Sequence, residues 1–290
     1  MSIRKAVVPL AGLGTRLLPL TKSVPKELLP IARKPVIQYV IEELASAGIQ
    51  QILLITSKRN IAIEDYFADD PVLVENLTKS GKNELLEQID FKQLKCSFLY
   101  THQNTAAGIA DAVLLAEDFV GNESFVLHMG DSIIKDDQGF MRRMIDLYDK
   151  YSAGSAIGIT EMSEEEIRSH GTVIPDIDQD EWFTVQNVIH YQDLEIIPNN
   201  YGVVGRYIYN ADIFDTLRRT DSERDKNYDL TKAKHMLMKN GVKILAVKLR
   251  TGEKFCNAGD YESYFKTFLD FALEDKEYGQ ILREYLRRKL

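Results

Sequence analysis

The sequence predicts an α/β fold: a Rossmann-like mixed sheet flanked by helices, with a small β-rich flap late in the chain and helices at its C-terminus. Three observations carry this. Apolar runs of strand length alternate with segments of helical period through the first half. A glycine-rich turn follows the first of those runs. After about residue 155 the pattern changes to closely spaced β-rich stretches separated by polar turns.

Taken in order, Lys5–Leu10 is a strand that ends in the glycine turn. Pro35–Gly48 is an amphipathic helix with its stripe at Val36, Ile37, Val40, Ile41 and Leu44, and Gly48 suits its C-terminal cap. Gln51–Thr56 is a strand, Ile61–Phe67 a helix, Cys96–Tyr100 a strand, Ile109–Phe119 a helix and Ser124–Met129 a strand ending at Gly130-Asp131. This βαβ rhythm predicts a parallel sheet covered on both faces, with a ligand at the carboxyl ends of its strands. Asp69–Lys92, charged and polar, interrupts it as a helical arm with apolar positions at Leu73, Leu77, Leu85, Leu86 and Ile89. Ala156–Thr160, Thr172–Ile177, Phe183–Val188 and Tyr201–Tyr209 predict an antiparallel flap beside the first sheet. Helices over Ala211–Arg219 and Leu230–Asn240 and a strand over Val242–Leu249 follow, and from Asp260 the chain reads as one long amphipathic helix. Nothing in the 290 residues marks a linker, so residues 1–290 are expected to form a single domain, with halves 1–155 and 156–259 and the terminal helix 260–290 as packing element or oligomer contact.

Composition narrows the function. Acidic residues outnumber basic ones 44 to 36, for a net charge of −8 and a pI near 5.3, so a nucleic-acid-binding surface is not expected. Cys96 and Cys256 form no CxxC spacing, and the five histidines include no HxxxH or HExxH pair, which argues against a disulfide framework and a zinc hydrolase. No apolar run approaches about 18 residues, and the first residues lack a signal-peptide core, so no membrane association and a cytoplasmic protein are expected.

The most informative segment is Leu10–Pro30, LAGLGTRLLPLTKSVPKELLP. Small residues at Ala11, Gly12 and Gly14 let a nucleotide approach the backbone, whose N–H groups face it. Leu17 occupies the place of the third glycine of a dinucleotide fingerprint, and no GxxxxGK[ST] is present, so neither a Rossmann hydride enzyme nor a P-loop is indicated. Arg16 offers a planar fork to phosphate and Lys26 a second cation; the competing reading is a tight turn with two solvated cations. Gln103 carries the donor and acceptor that would read a base edge, or is a surface glutamine; Asp131 would hold a metal, or cap a turn.

Together these residues resemble the sugar-nucleotide pyrophosphorylases, and Lys34-Pro35-Val36-Ile37-Gln38-Tyr39 with the arm around Leu77–Glu87 is similar to the bacterial UTP–glucose-1-phosphate uridylyltransferases. The resemblance continues through Gln103 as base reader, Gly108 opening a helix, Gly130-Asp131 with the metal aspartate and His170-Gly171-Thr172 as a turn under the sugar. It ends with Asn200 and the run Val203-Val204-Gly205-Arg206-Tyr207. It implies a nucleotide-diphospho-sugar transferase fold with a sugar-binding flap. It also implies a Mg²⁺-dependent transfer from UTP to glucose 1-phosphate, giving UDP-glucose and pyrophosphate, in a homodimer or homotetramer. Arg16 and Lys26 would act on phosphates, Ala11, Gly12, Gly14, Gln103 and Gly108 on the nucleotide, Gly171, His190, Tyr191 and Val204 near the sugar, and Asp131 with Asn257 on the metal.

The chain departs from that pattern at four places. His190-Tyr191 stands where the family has Glu-Lys, Asn257-Ala258-Gly259 replaces Asp-x-Gly, Gly108-Ile109-Ala110-Asp111 replaces Gly-Leu-Gly-His, and Asn227-Tyr228-Asp229-Leu230-Thr231-Lys232 replaces Glu-Ile-Gln-Leu-Thr-Asp. Tyr191 cannot replace a cation on phosphate; Lys226 or Lys232 would be the substitutes if the register shifts. An Asp111 carboxylate near phosphates would be repulsive unless it points away. Three readings stay open: an active uridylyltransferase, a nucleotide-binding regulatory paralogue, and a transferase for a different sugar phosphate or nucleotide.

Overall fold

The computed structural model describes residues 3–58, 60–105, 107–135, 139–189, 197–220 and 229–289. Its strands are β1 (Lys5–Pro9), β2 (Pro30–Ile31), β3 (Lys34–Pro35), β4 (Gln51–Thr56), β5 (Ser97–His102), β6 (Phe125–His128), β7 (Ser132–Lys135), β8 (Ser155–Glu161), β9 (Thr172–Asp178), β10 (Trp182–Ile189), β11 (Tyr201–Tyr209), β12 (Ile244–Lys248) and β13 (Lys254–Asn257). Nine of these form one sheet in the order β5, β4, β1, β6, β11, β8, β12, β10, β9. The first four strands of that order run parallel, as the βαβ rhythm requires.

Side-chain alternation assigns the two faces. On one, Ala6, Val8, Ile52, Leu54 and Val126 meet Ile37, Val40, Ile41 and Leu44 of the helix Val36–Ser46 and Phe140, Met141, Met144 and Ile145 of the helix Phe140–Lys150. On the other, Val7, Leu53, Ile55, Phe125 and Leu127 meet the helices Ile109–Leu114, Asp212–Arg218 and Leu230–Lys239 through Val113, Phe214 and Leu237. Each of these large side chains, fully buried, contributes about 1.5–3 kcal/mol of transfer free energy. The sheet is thus covered on both faces and offers ligands only the ends of its strands.

The second half differs from the expected flap. β8, β11 and β12 extend the main sheet instead of packing beside it: β11 is antiparallel to both β6 and β8, whereas β8 and β12 are parallel. β9 and β10 form the antiparallel edge, and Gly202 of β11 also pairs with Thr172 of β9, which curls the far end of the sheet back on itself. Ile157, Ile159, Val173, Phe183, Val188, Val203, Ile244 and Ala246 fill the space so enclosed.

Two other expectations need correction. The C-terminal segment is two helices, Tyr261–Leu273 and Gly279–Arg287, because the Asp275 carboxylate accepts the backbone N–H groups of Glu277 and Tyr278 and ends the first. The helix expected over Ile109–Phe119 breaks into Ile109–Leu114 and Glu117–Val120. The arm is helical, as expected, in two helices, Pro71–Lys79 and Asn83–Ile89, the first capped by Asp70 and opened by Pro71. The helix Glu164–His170 opens on a capping box of Ser163 with Glu166.

Candidate active site

Where β1 ends, Leu10 is held from both sides: its N–H donates to the Ile55 carbonyl at 2.8 Å and its own carbonyl accepts from Asn60 Nδ2 at 2.7 Å. The chain then turns through Ala11–Gly14. Gly14 lies at φ 62°, where side-chain-bearing residues are strained, and a Cβ there would lie 3.0 Å from Thr21 Cγ2. Thr21 Oγ1 donates to the Gly14 carbonyl at 2.7 Å, and the turn borders a cleft of about 250 Å³ lined in part by Ala11, Gly12, Lys26, Ser57 and Asn60. Leu17, fully buried, anchors the short turn that carries Arg16, and its carbonyl accepts from the Tyr261 hydroxyl at 3.2 Å.

Lys26 follows a buried Pro25, and its stem lies against the turn, with Cε 3.8 Å from where a Gly12 Cβ would sit. Its ammonium is bonded to Asp131. Asp131 stands in the turn between β6 and β7, and the antiparallel ribbon of β7 with β13 sets Ser132 opposite Asn257. The Ala258 N–H donates to the Asp131 carbonyl at 2.9 Å, and the Gly259 N–H to Asn257 Oδ1 at 3.0 Å. Gly259 marks the centre: a Cβ on it would lie 3.0 Å from Arg16 Nη2, 3.1 Å from Asn257 Oδ1 and 3.5 Å from Asp131 Oδ2. The fold therefore gathers Arg16, Lys26, Asp131 and Asn257 beside the glycine turn.

Electrostatics follow from that crowding. Burial alone would raise the Asp131 carboxyl, but the bonded Lys26 ammonium and Arg16 hold it below its ordinary value. Burial opposes the Lys26 ammonium, and Asp131 with Glu27 outweighs it, so its pKa rises. Glu27 lies wholly inside beneath the site, where burial pushes its carboxyl up to about 8 despite Lys26 3.8 Å away. The turn presenting Asp131 rests on Arg206, which is 0% exposed and donates to Ser132 Oγ at 2.6 Å, the Ser132 carbonyl at 3.1 Å, the Val204 carbonyl at 2.8 Å and Glu43 Oε2 at 2.7 Å.

Just past β5, Gln103 is 7% exposed and tied through its N–H to the Thr56 carbonyl at 2.8 Å. Its Nε2 donates to the Gly108 carbonyl at 2.9 Å and to Asp111 Oδ2 at 2.8 Å. The Asp111 carboxylate is thus engaged by Gln103.

The expected sugar-side residues fare differently. Gly171 ends the helix Glu164–His170, and its carbonyl accepts from the Val203 N–H at 3.3 Å. Val204 is 0% exposed, with its side chain in the apolar core and its carbonyl taken by Arg206, so its side chain is not offered to a ligand. His190, Tyr191, Lys226 and Asn227-Tyr228 lie outside the described residues. Lys232 is exposed near Asp229 on the helix Leu230–Lys239. Asn60, Thr21, Glu43 and Arg206 were not found as site-building residues from sequence, since their partners lie up to 163 positions away; the one local signal was Arg206 within Val-Gly-Arg-Tyr.

Among the described residues no three His, Cys, Asp or Glu side chains gather around one point. Asp131 and Asn257 instead offer two hard oxygens, a donor set that suits a small divalent cation completed by phosphates and water.

A doubly covered α/β sheet with a glycine turn, two cations and a carboxylate at its strand ends defines a phosphate-handling, nucleotide-binding enzyme class. The chain belongs to the nucleotidyl transferase family, whose model matches residues 5–273. It is 34% identical over 287 residues, 99% of each chain, to UTP–glucose-1-phosphate uridylyltransferase 1 of Staphylococcus saprophyticus. Over 275 residues, 95% of this chain and 93% of the other, it is 36% identical to the UTP–glucose-1-phosphate uridylyltransferase of Bacillus subtilis. Its fold matches a UTP-bound UGPase from Acinetobacter baumannii with a TM-score of 0.88 at 30% identity, covering 98% of both chains.

Proposed function

We propose that this chain transfers a uridylyl group from UTP to glucose 1-phosphate, releasing pyrophosphate and forming UDP-glucose with Mg²⁺. The observation that supports this best is the convergence of Arg16, Lys26, Asp131 and Asn257 around Gly259, beside a glycine turn that borders the cleft. The relatives and solved structures add the substrate pair: a UDP-glucose pyrophosphorylase complexed with UDP-glucose matches with a TM-score of 0.81 at 30% identity, covering 93% of this chain and 98% of that one.

The chemistry is an in-line displacement. A phosphate oxygen of the sugar 1-phosphate attacks the α-phosphorus of UTP, the bond to the β-phosphate oxygen breaks, and no covalent enzyme intermediate is required. Two polyanions must meet, so the work is alignment and charge neutralisation. Arg16 would hold phosphate oxygens with its fork; Lys26 would exchange its bond to Asp131 for one to phosphate, releasing the carboxylate. Asp131 and Asn257 would hold Mg²⁺, which when bound supplies positive charge against the phosphates. Ala11, Gly12 and Gly14 would receive the nucleotide, Gln103 and Gly108 the base, and the Gly171 turn with His190 and Tyr191 the sugar.

We further propose a cytoplasmic enzyme of one domain over residues 1–290 acting as a homodimer or homotetramer. Exposed Phe265, Leu269, Ile281 and Tyr285 on the two C-terminal helices support contact there. No helix among the described residues is long and apolar enough to cross a membrane, and both cysteines are unpaired.

The test is pyrophosphate release with Mg²⁺, glucose 1-phosphate and UTP, run beside other nucleoside triphosphates and sugar 1-phosphates, with calorimetric titration of UTP and UDP-glucose. Turnover with UTP and glucose 1-phosphate is expected. Binding without turnover across the panel would favour a regulatory paralogue, and turnover only with another pair would favour a different specificity.

A further inference from the structure

The carboxamide of Gln103 has two donor hydrogens on Nε2 and an acceptor oxygen, Oε1. Both groups that its amide meets inside the chain, the Gly108 carbonyl at 2.9 Å and Asp111 Oδ2 at 2.8 Å, are acceptors only. That fixes which end is nitrogen, since the reversed amide would set Oε1 against a carbonyl and a carboxylate at once. Both N–H groups are then committed. Among the described residues Oε1 has no hydrogen-bond partner, so it is the polar atom of Gln103 left to accept from a ligand.

From this geometry we infer that Asp111 is a specificity-positioning residue: by holding the Gln103 amide in one orientation it makes the base reader an acceptor, selecting bases with an N–H at N3 over cytosine. Uracil and thymine carry a hydrogen on N3, whereas cytosine carries a lone pair there, which would face Oε1 as acceptor against acceptor. The Gly108 carbonyl alone would hold the amide with one neutral bond; the bond to Asp111 is charge-assisted and roughly twice as strong. The inference rests on Gln103 meeting the base, as in the function proposed above, but it adds a residue that sits where the resemblance expects histidine.

The experiment compares the full chain with its Asp111→Ala and Asp111→Asn variants on UTP, dTTP and CTP, reading kcat and KM from pyrophosphate release with glucose 1-phosphate. Freed from Asp111, the amide can turn Nε2 toward cytosine N3. Asp111→Ala is therefore expected to shrink the preference for UTP over CTP by about tenfold or more, mainly through KM, the size of one lost hydrogen bond to a charged group. The ratio of UTP to dTTP should not move, because both present the same N3–H. Asp111→Asn, whose Oδ1 still accepts, should keep most of the preference.

An unchanged UTP-to-CTP ratio in Asp111→Ala would overturn the proposal, as would an equal loss for all three nucleotides, the mark of a merely structural role. An Asp111→Asn variant as unselective as Asp111→Ala would overturn it too. Calorimetric titration of the three nucleotides reads the same ratios without turnover. Absence of turnover in the parent chain would thus sink the transferase reading while the binding ratios still judge Asp111.

Discussion

At the scale of single residues the site is an ion pair waiting to be opened. Lys26 and Asp131 neutralise one another, each shifted toward its charged form by the other. An arriving polyanion competes for the lysine and leaves the carboxylate free for a cation, so the two halves of the charge arrangement are released together. Lys26→Met keeps the apolar stem and removes the charge; kcat/KM with UTP is expected to fall by about tenfold to a hundredfold, and Asp131, without its partner, to titrate at higher pH. A pH–rate profile of the variant checks both. Asn257 carries the opposite lesson. Its Oδ1 is a neutral oxygen beside Asp131, and Asn257→Asp would add a negative charge to the proposed cation site. The Mg²⁺ concentration for half-maximal turnover is expected to drop on the order of tenfold; a requirement that stays put would show that Asn257 is no ligand.

At the scale of elements, the short ribbon of β7 with β13 does most to build the site, because it delivers Asn257 from late in the chain to Asp131. Gly259, just past that ribbon, is tightly placed: a side chain there would press on Arg16 and Asn257 and touch Asp131. Gly259→Ala should make Arg16 Nη2 and Asn257 Oδ1 give by a few tenths of an ångström, and lower turnover by less than the roughly hundredfold that a 1 Å misplacement costs, with far-ultraviolet circular dichroism unchanged. The elements that the sequence makes legible are those with long periodic patterns: β1, the helix Val36–Ser46, β4 and β11 fall within a residue or two of expectation. The glycine turn, Arg16, Lys26 and Asp131 are legible because their residue types are local and unusual together. β2, β3 and β7 are only two to four residues long and carry no period to read. Phe140–Lys150 went unread because FMRRMIDLYDK is charged on average; its apolar residues at 140, 141, 144, 145 and 148 form a stripe only when placed on a helical wheel. The role of Asp111 depends on where Gln103 points, which no spacing specifies.

For the whole molecule the question is what joins the parallel half of the sheet to the mixed half. The contact falls at β6 against β11, and under it Glu43 from the helix Val36–Ser46 reaches Arg206 of β11 and His128 of β6, at 2.7 and 3.2 Å. Neither Arg206 nor His128 is exposed, so a neutral or absent Glu43 would leave a buried cation without its counter-charge. Burial would raise the Glu43 carboxyl, but Arg206 first and His128 second overcome it and bring it down to about 2. A carboxyl whose folded pKa lies below its unfolded value of 4.5 contributes stability that is fully present above pH 4.5. That contribution is lost as the pH falls toward 2, because the unfolded chain takes up its proton first. The shift corresponds to about 3 kcal/mol at most. Glu43→Gln should therefore be less stable than the parent by up to about that amount at pH 7, and the gap should narrow steadily below pH 4.5. Denaturant melts of both chains between pH 3 and 7 measure it. A gap that does not change with pH would mean that Glu43 joins the two halves through shape rather than charge. A gap that closes would place the electrostatic seam of the fold directly beneath the turn that carries Asp131, so that acid would weaken the sheet and the site together.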